Sequence, residues 1–338
     1  MQQVRNLSCV IAAAALLMSG PGAAAEDALK LMIAPQKAWD AAVPELGQQA
    51  GIFKKHGVVL DLQYADDGGE VEQPVISGDV DVGVGSGIMG VLRAYAKGGA
   101  PLRIIGASTT GSASYWYVAS TSPVKTIKDI AGKTIAYPTG GEVNRFDVFD
   151  LMDRYRVKAR PVPMASPAAT LSSVMAGRID VGWATAPFGV DEIEKGEIRV
   201  IARGNDVPKI RERTARVMIA NASVLQKRGD AVARFLAGYR ETLDWMYSNP
   251  DALKRYAEFA GVSESFARRL RDEFFTKDVL SPNNIMGFNA IVKDAVTLKY
   301  ITAPLSKNQT AELVQIPDGA GKAKSIGGWF RALSPTSP

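Results

Sequence analysis

One six-residue motif occurs twice in this chain and constrains its fold more than any other feature. Residues 78–83 read Gly-Asp-Val-Asp-Val-Gly, and residues 177–182, which begin 99 residues later, read Gly-Arg-Ile-Asp-Val-Gly. In each copy an apolar, helix-like run precedes the first glycine and a short apolar strand follows it. A glycine in that place is typical of a left-handed helix cap. The spacing is too long for a solenoid repeat and predicts an α/β lobe that is present twice.

Loops of small residues follow the two repeated strands. Gly85, Ser86 and Gly87 end the first copy, and Ala186 and Pro187 lie in the equivalent loop of the second. Ligands of open α/β sheets bind at the carboxyl ends of the strands. The two loops therefore predict a ligand that is held between two lobes.

Length and charge exclude several classes of protein. The 338 residues are enough for two domains, at roughly 100–200 residues each. The formal net charge is +5, and no long run of Lys or Arg occurs. We therefore expect no nucleic-acid partner, whereas a mildly basic surface is compatible with an anionic ligand.

The first 25 residues have the pattern of a secretory signal peptide. Arg5 gives a positive start, residues 9–18 are apolar, and residues 23–25 offer an Ala-Ala-Ala cleavage site. The apolar run is shorter than the roughly 20 residues that span a bilayer. We therefore predict that the mature protein is exported to the periplasm and meets the membrane only through peripheral contact with a membrane complex.

The chain has one cysteine and one histidine. Cys9 lies inside the predicted signal peptide, so the mature chain would have neither a disulfide nor a Cys nucleophile. His56 precedes Gly57 at a helix-end pattern, where a cationic side chain favours the helix dipole. A His-dependent triad or zinc site would have to use this one residue. We therefore predict no cofactor, no metal site and no enzymatic activity.

Strand-like and helix-like runs alternate along the first two thirds of the chain. Residues 29–34, 58–64, 102–107 and 134–137 read as strands, and helical spacing lies between several of them. This βαβ rhythm predicts mostly parallel sheets. Four runs with helical spacing follow, at residues 230–247, 250–260, 263–275 and 288–300. The tail after residue 304 is rich in Gly, Lys, Ser and Pro. We expect it to run over the surface of the protein or to be partly disordered.

Four segments together resemble one known family. They are residues 51–58 (Gly-Ile-Phe-Lys-Lys-His-Gly-Val), the first copy of the motif at 78–83, residues 127–136 (Ile-Lys-Asp-Ile-Ala-Gly-Lys-Thr-Ile-Ala) and residues 176–187. They are similar to the periplasmic substrate-binding proteins of ABC importers, in the branch for alkanesulfonates, taurine, nitrate and thiamine-pyrimidine precursors. The resemblance covers about residues 29–248 and leaves the ligand open.

The resemblance implies a two-lobed, type II periplasmic-binding-protein fold of the Venus-flytrap kind. Its mostly parallel sheets would be joined by a two-strand hinge near residues 115–119 and 216–220. The expected parts are a signal peptide (1–25), a first lobe in two pieces (26–116 and, largely helical, 218–305), a second lobe (117–217) and a C-terminal tail (306–338). The implied partners are a small-molecule ligand and an ABC permease.

The chain departs from the family pattern at two places. Gly140 and Gly141 stand where many relatives have Gly-Ser, and Ala186 stands where many have an acidic residue before the proline. A hydroxyl and a carboxylate that relatives commonly use for ligand contacts are therefore missing. Either backbone amides contribute more to binding here, or the ligand differs.

The loops at residues 85–87 and 139–141 are the main candidates for ligand contacts. Each lies between a predicted strand and a predicted helix, where unpaired N–H groups and the positive end of the helix dipole attract an anion. Glycine lets such a group approach the backbone closely. A sulfonate or carboxylate is therefore expected, although glycines that only form tight turns would give the same pattern.

Further candidates lie beside these loops. Trp39 and Tyr115 follow or begin strands and are positioned to stack on a flat ligand, although single aromatic residues are often core. Glu142 could receive a hydrogen-bond donor or act only as a favourable acid in a first helical turn. The predicted ligand-binding set is Gln36, Trp39, Gly85, Ser86, Gly87, Ser108, Tyr115, Thr139, Gly140, Gly141, Glu142, Ala186 and Pro187.

Three functions fit this pattern. The first is an exported binding protein that captures a small, anionic organic molecule between two lobes and presents it to a permease. The second is an enzyme on the same fold, such as a desulfinase or a pyrimidine-precursor synthase. Such relatives rely on a reactive Cys or His, which this chain does not offer. The third is a ligand-sensing partner of a signalling receptor, which sequence does not separate from import.

Overall fold

Ten β-strands form the sheets in the part of the chain that the structure describes. The structure is a computed structural model, and it describes residues 27–139 and 147–317. The strands are β1 (Asp27–Ile33), β2 (Val58–Tyr64), β3 (Val82–Gly87), β4 (Leu102–Thr110), β5 (Ser114–Ala119), β6 (Thr134–Pro138), β7 (Arg160–Met164), β8 (Gly182–Thr185), β9 (Ile198–Arg203) and β10 (Thr214–Asn221).

Thirteen α-helices in the same described ranges connect and cover these strands. They are α1 (Val43–Gln49), α2 (Ile52–Lys55), α3 (Glu72–Ser77), α4 (Ile88–Gly98), α5 (Asp147–Tyr155), α6 (Pro167–Met175), α7 (Val190–Glu194), α8 (Pro208–Arg211), α9 (Ala222–Ser248), α10 (Asp251–Ala260), α11 (Glu264–Glu273), α12 (Phe288–Thr297) and α13 (Lys307–Leu313). Helix α9 has one kink, at Arg228. Helices α9 to α12 confirm the four helical runs that the sequence predicts, although α9 begins at Ala222, eight residues before the predicted start.

Two sheets share one strand order. The first sheet has the order β2-β1-β3-β10-β4, and only β10 runs antiparallel to its neighbours. In the second, β5 runs antiparallel between β8 and β9, and β6 pairs in parallel with β7. A parallel bridge between Ile135 and Val181 joins β6 to β8. The second order is therefore β7-β6-β8-β5-β9, which repeats the first strand for strand and agrees with the predicted duplication.

The repeated motif has the same structural role in both copies. Gly78 and Gly177 end their helical segments with φ values of +84° and +68°, in the left-handed region that favours glycine. Asp81 accepts a hydrogen bond from the backbone N–H of Lys30, on β1, at 2.9 Å. The motif therefore ends a helix and fixes the start of the next strand against the first strand of the sheet.

The second copy repeats this arrangement with one addition. Asp180 accepts hydrogen bonds from the backbone N–H of Thr134, on β6, at 2.9 Å and from its hydroxyl at 2.7 Å. Burial alone would raise the pKa of Asp180, but the bonds from Thr134 and the nearby Lys133 lower it overall. The carboxylate form is therefore the one that holds β6 beside β8.

The chain passes between the two sheets at two crossovers, residues 111–113 and 204–213. We call residues 27–110 and 214–317 the first lobe and residues 114–203 the second lobe. The Gly111 N–H donates to the Arg213 carbonyl at 2.7 Å, and the Ser112 N–H donates to Asn205 at 2.8 Å. Gly111 has φ +81°, and Asn205 occupies the space that a side chain there would need. The two crossovers are therefore in direct contact with each other.

The structure corrects the predicted position of the hinge. Residues 115–119 and 216–220 lie inside the sheets as most of β5 and β10, so the boundaries expected at 116 and 217 fall within strands. The reason is burial: Tyr115, Trp116 and Tyr117 have no exposed area. Such complete burial is typical of a sheet strand that is covered on both faces, and not of an exposed connection between lobes.

The C-terminal segment is also more structured than its composition predicts. Helix α13 begins at Lys307, and Val314 forms a parallel bridge with Ile104 at the edge of the first sheet. Residues 306–317 therefore belong to the first lobe, and residues 318–338 lie outside the described part. His56, which the sequence predicts at a helix end beside a Gly57 cap, is itself the C-cap residue of α2, and its ring contacts Glu241 at 2.8 Å.

The predicted signal peptide lies outside the described residues, which begin at Asp27. Among the helices within 27–139 and 147–317, none combines the length and the apolar character that crossing a membrane requires.

Candidate functional site

A cavity of about 960 Å³ lies between the first lobe, the second lobe and the crossovers. From the first lobe it is lined by the ends of β1 to β3, the start of α4 and the start of β10. From the second lobe it is lined by the start of α5 and the end of β8. The loops after the repeated strands therefore lie on one cavity, as the sequence predicts for the ends of α/β strands.

The N-terminus of α4 forms part of the cavity wall. Gly87 is its N-cap residue, and among the described residues no side-chain cap hydrogen bond is made to the first turn of this helix. Gly87, Met89 and Gly90 all line the cavity, and a Cβ atom added to Gly87 would meet nothing within 4 Å. The unpaired N–H groups of a helix start are thus available to a bound group.

Gly85 has a structural role instead. Its φ is +89°, and the Ala34 carbonyl occupies the place of a side chain. Its N–H donates to the Ser108 hydroxyl at 3.2 Å, and Ser108 is buried. Gly85 nevertheless lines the cavity, so its predicted ligand contact stays a prediction, although its N–H already has a partner in the fold. Ser108 holds this turn and does not line the cavity.

Ser86 does not line the cavity. It is fully buried, and its hydroxyl donates to a carboxylate oxygen of Glu72 at 3.3 Å. Glu72 does line the cavity, and its carboxylate fills the space beside Gly90 where a Cβ would lie. Burial raises the pKa of Glu72, and the Ser86 hydroxyl and the Arg93 guanidinium offset part of that rise. A buried acid with a raised pKa therefore lies beside the first turn of α4.

Arg216 is a cavity residue that the sequence reading missed. It lies on β10 between Gly87 on β3 and Thr109 on β4, and all three line the cavity. Its guanidinium donates to the almost fully buried carboxylate of Asp40 at 3.0 Å, and Thr109 donates to the same carboxylate. The available signal was an arginine at the start of an otherwise apolar strand.

The other cavity cations in the described part of the chain also have partners. Arg213 donates to Asp294 at 2.6 Å, and Lys209 forms an ion pair with Asp150. Arg93 lies over the ring of Tyr300, 5.7 Å from its centroid. Across 27–139 and 147–317 no group of three or more His, Cys, Asp or Glu side chains has the geometry to hold a metal ion.

Asp147, the first residue of α5, is the most unusual group on the cavity wall. It is 7% exposed, and one of its carboxylate oxygens has no hydrogen-bond partner within the described residues. Burial raises the pKa of Asp147 to about 7, and the charge of Asp150 adds to this rise. A hydrogen bond from Ser112 and the charge of Arg213 act in the opposite direction.

The predicted aromatic contacts are corrected. Trp39 and Tyr115 are fully buried and do not line the cavity. The Trp39 ring N–H donates to the Tyr247 hydroxyl at 3.0 Å, and the Tyr115 hydroxyl donates to the Phe188 carbonyl at 2.6 Å. A place next to a strand end does not reveal which way a ring points. Phe149, which is 43% exposed, provides aromatic surface in the cavity instead.

The remaining predicted residues lie beside the cavity or outside the description. Gln36 is next to the lining residue Pro35, and Ala186 and Pro187 follow the lining residue Thr185. The Thr139 hydroxyl donates to the Met164 carbonyl at 3.3 Å, and Thr139 is not a lining residue. Gly140, Gly141 and Glu142 lie outside the described residues, so their predicted ligand contacts stay predictions.

Comparison with known proteins gives one family and many similar folds. A family model described as NMT1/THI5 like matches residues 45–253. No curated protein sequence matches the chain. The periplasmic aliphatic sulphonate binding protein SsuA from Escherichia coli superimposes with a TM-score of 0.67 at 18% identity, over 92% of this chain and 98% of that one.

Two further solved structures show the same fold at low identity. The putative periplasmic sulfonate-binding protein SsuA from Methylobacillus flagellatus KT has a TM-score of 0.66 at 15% identity, over 86% of this chain and 92% of that one. The enzyme DSZB, in complex with biphenyl-2-sulfinic acid, has a TM-score of 0.60 at 15% identity, over 84% and 96%. The fold is therefore that of the periplasmic binding proteins, and at least one enzyme shares it.

Proposed function

Because the chain belongs to the NMT1/THI5-like family, we propose that it is an exported solute-binding protein that captures a small organic acid between its lobes and delivers it to an ABC permease. The observation that carries this proposal is the position of Arg216 beside the N-cap of α4, both on the wall of one interlobe cavity. A binding protein needs no nucleophile, and His56, the one histidine, does not line that cavity.

The acid group of the ligand would bind between Arg216 and the first turn of α4. Arg216 uses one guanidinium nitrogen for Asp40, and its planar fork has further N–H groups for a sulfonate or carboxylate. Asp40 is buried, so it holds the guanidinium in place without reaching the cavity. The backbone N–H groups that follow Gly87 add donors and the positive end of the helix dipole.

The rest of the ligand would contact apolar surface. Phe149, Phe275 and Met89 line the same cavity, so an alkyl or aromatic body fits beside the acid group. The names of two solved neighbours, both SsuA, describe sulfonate binding, which makes sulfonates the first class to test. The predicted signal peptide in residues 1–25 supports export to the periplasm.

The proposal is tested with a ligand screen and two matched variants. Purified protein is screened by thermal shift and calorimetry against alkanesulfonates, aromatic sulfonates, carboxylates and pyrimidines. A ligand at 100 times its Kd adds about 2.7 kcal/mol of stability. Gly87→Leu places a side chain in the cavity and should weaken binding of the hits at least tenfold without loss of folding, because its Cβ has open space.

The control is Gly98→Leu, at the other end of α4, where a Cβ also meets nothing within 4 Å. This variant should bind like the unchanged protein. Equal affinity of Gly87→Leu would exclude the α4 site. Chemical conversion of a hit during incubation, seen by NMR, would instead favour an enzyme, as the shared fold of DSZB allows.

A further inference from the structure

Glu72 is a buried acid that lies beside the proposed position of the ligand's acid group. It is 7% exposed, lines the interlobe cavity and begins α3. Its carboxylate occupies the space where a Cβ of Gly90 would lie, so it contacts the first turn of α4. Gly87, the N-cap residue of that turn, lines the same cavity. An anion that binds at this turn would therefore have a second acid as its neighbour.

Two hydrogen bonds at the Ser86 hydroxyl can both form only when Glu72 carries a proton. This hydroxyl belongs to a fully buried residue and lies 3.3 Å from Glu72 Oε1 and 3.4 Å from the Gly68 carbonyl oxygen. When Glu72 is ionised both neighbours are acceptors, and a hydroxyl has one proton to donate. A protonated Glu72 would donate to the Ser86 oxygen and leave the Ser86 proton for the Gly68 carbonyl. The geometry therefore favours a neutral Glu72.

The charged groups around Glu72 do not hold it in the ionised form. Burial raises its pKa and the charge of Asp67 adds to the rise, whereas the Ser86 hydroxyl and the Arg93 guanidinium offset only part of it. Neither Arg93 nor Arg216, on β10, forms an ion pair with Glu72 within the described residues, because the first lies over an aromatic ring and the second binds a buried acid. Glu72 is therefore an acid whose charge is easily removed.

We propose that Glu72 takes up a proton when the acid group of the ligand binds at the start of α4, so that the protein binds an anion and a proton together. The inference rests on the proposed function and adds the protonation state of the same site. A like charge beside a carboxyl group favours its neutral form, and by linkage a neutral Glu72 strengthens binding of the anion to the same extent. The affinity should therefore fall as pH rises above the pKa of Glu72 in the ligand-free protein, by up to about tenfold per pH unit.

Calorimetry of the unchanged protein with butanesulfonate and with benzenesulfonate tests this proposal between pH 6 and pH 8. Each titration is repeated in bis-Tris, imidazole and Tris, which have different heats of ionisation and contain no competing acid, so that the difference in heat counts the protons taken up. Sulfonates stay ionised over this range, so any proton is taken up by the protein. We expect uptake of up to one proton per bound sulfonate and at least fivefold weaker binding at pH 8 than at pH 6.

Glu72→Gln, with Glu70→Gln as the control, assigns the proton to its residue. Gln resembles a neutral Glu and can donate to Ser86, so Glu72→Gln should bind the sulfonates at least fivefold more tightly than wild type at pH 8 and lose the proton uptake. Glu70 is exposed and does not line the cavity, so Glu70→Gln should keep the proton uptake of wild type. Asp147, the other acid on the cavity wall with a raised pKa, is the same in both variants.

The outcomes separate this inference from the proposed function. Binding of either sulfonate without proton uptake, at an affinity that does not change with pH, would overturn the inference and leave an acid-binding protein. Proton uptake that persists in Glu72→Gln would place the proton on another group and would also overturn it. Absence of binding of both sulfonates and of pentanoate at every pH would overturn the acid site itself, and the inference with it. The proton count on the unchanged protein stands whether or not Glu72→Gln folds.

Discussion

At the scale of single residues, the site depends on where two acids lie. Asp40 is buried below Arg216 and holds the guanidinium at the cavity wall. Asp147 is buried on the cavity wall itself and lacks a partner for one oxygen. Asp40 therefore supports a cation, whereas Asp147 is itself a buried acid on the cavity wall, and the difference comes from the neighbours.

The raised pKa of Asp147 predicts a distinct pH dependence of stability. The pKa of a carboxyl group in an unfolded chain is about 3.9, and burial raises that of Asp147 to about 7 in the folded protein. The folded state therefore holds the proton more tightly, so this group stabilises the protein below pH 4 and loses that contribution as pH rises to 7. Each pKa unit corresponds to about 1.4 kcal/mol.

The measurement compares ligand-free wild type with Asp147→Asn by urea unfolding between pH 4 and pH 8. Asn does not titrate, so the variant should gain stability relative to wild type up to about pH 7 and keep a constant lead above it. Arg213, Asp150 and the Ser112 hydroxyl, which act on Asp147, are present in both proteins. A constant difference across the whole range would contradict the assignment.

At the scale of elements, the repeated motif explains why the two sheets have the same strand order. Gly78 and Gly177 let a helix end and the chain turn back, and Asp81 and Asp180 tie the next strand to the first strand of their sheet. The spacing of apolar residues and glycines is local, so the sequence predicts the helices, most strands and the duplication.

Other features depend on contacts that sequence periodicity does not encode. The register of β10 places Arg216 beside Gly87, and the two residues are far apart in the chain. Trp39 was expected at the cavity because it lies in a loop, yet its ring contacts Tyr247 and Tyr256 in the core. Strand ends therefore predict where a site lies, whereas the identity of its side chains follows only from tertiary packing.

We expect the hydrogen bonds that Asp180 accepts from Thr134 to stabilise the second lobe. Asp180→Ala removes the acceptor of two hydrogen bonds from Thr134 and should lower the unfolding free energy by about 1–3 kcal/mol. The measurement is urea unfolding, with Asp79→Ala as the control. Asp79 lies in the first copy, is exposed and contacts only the nearby Ser77 hydroxyl among the bonds described. An equal loss of unfolding free energy in both variants would mean that the hydrogen bonds between Asp180 and Thr134 add no particular stability.

At the scale of the whole molecule, the two crossovers are the only covalent connections between lobes within residues 27–139 and 147–317. They contact each other through Gly111 with Arg213 and Ser112 with Asn205. Short paired connections of this kind favour rotation of one lobe relative to the other about a single axis. A ligand that touches both lobes would favour the closed arrangement.

This closure predicts a measurable change in distance between lobes. Dyes attached to Val59→Cys on β2 and Met175→Cys on α6, two exposed positions, should move closer when a ligand from the screen is added. The experiment uses a Cys9→Ser background so that only the two introduced thiols react. Dyes at Val59→Cys and Met286→Cys, both in the first lobe, serve as the control and should show no change. Constant energy transfer in both pairs would contradict closure.

Strand β10 occupies an inner position of the first sheet, although it is the last strand in chain order. While residues before Thr214 are being synthesised, β3 and β4 therefore lack the strand that joins them. The second sheet has all its strands once Arg203 has left the ribosome. The second lobe, which lies in the middle of the chain, is thus the first that can mature as a unit, and the first lobe is completed only after it, although its first strands are translated earlier.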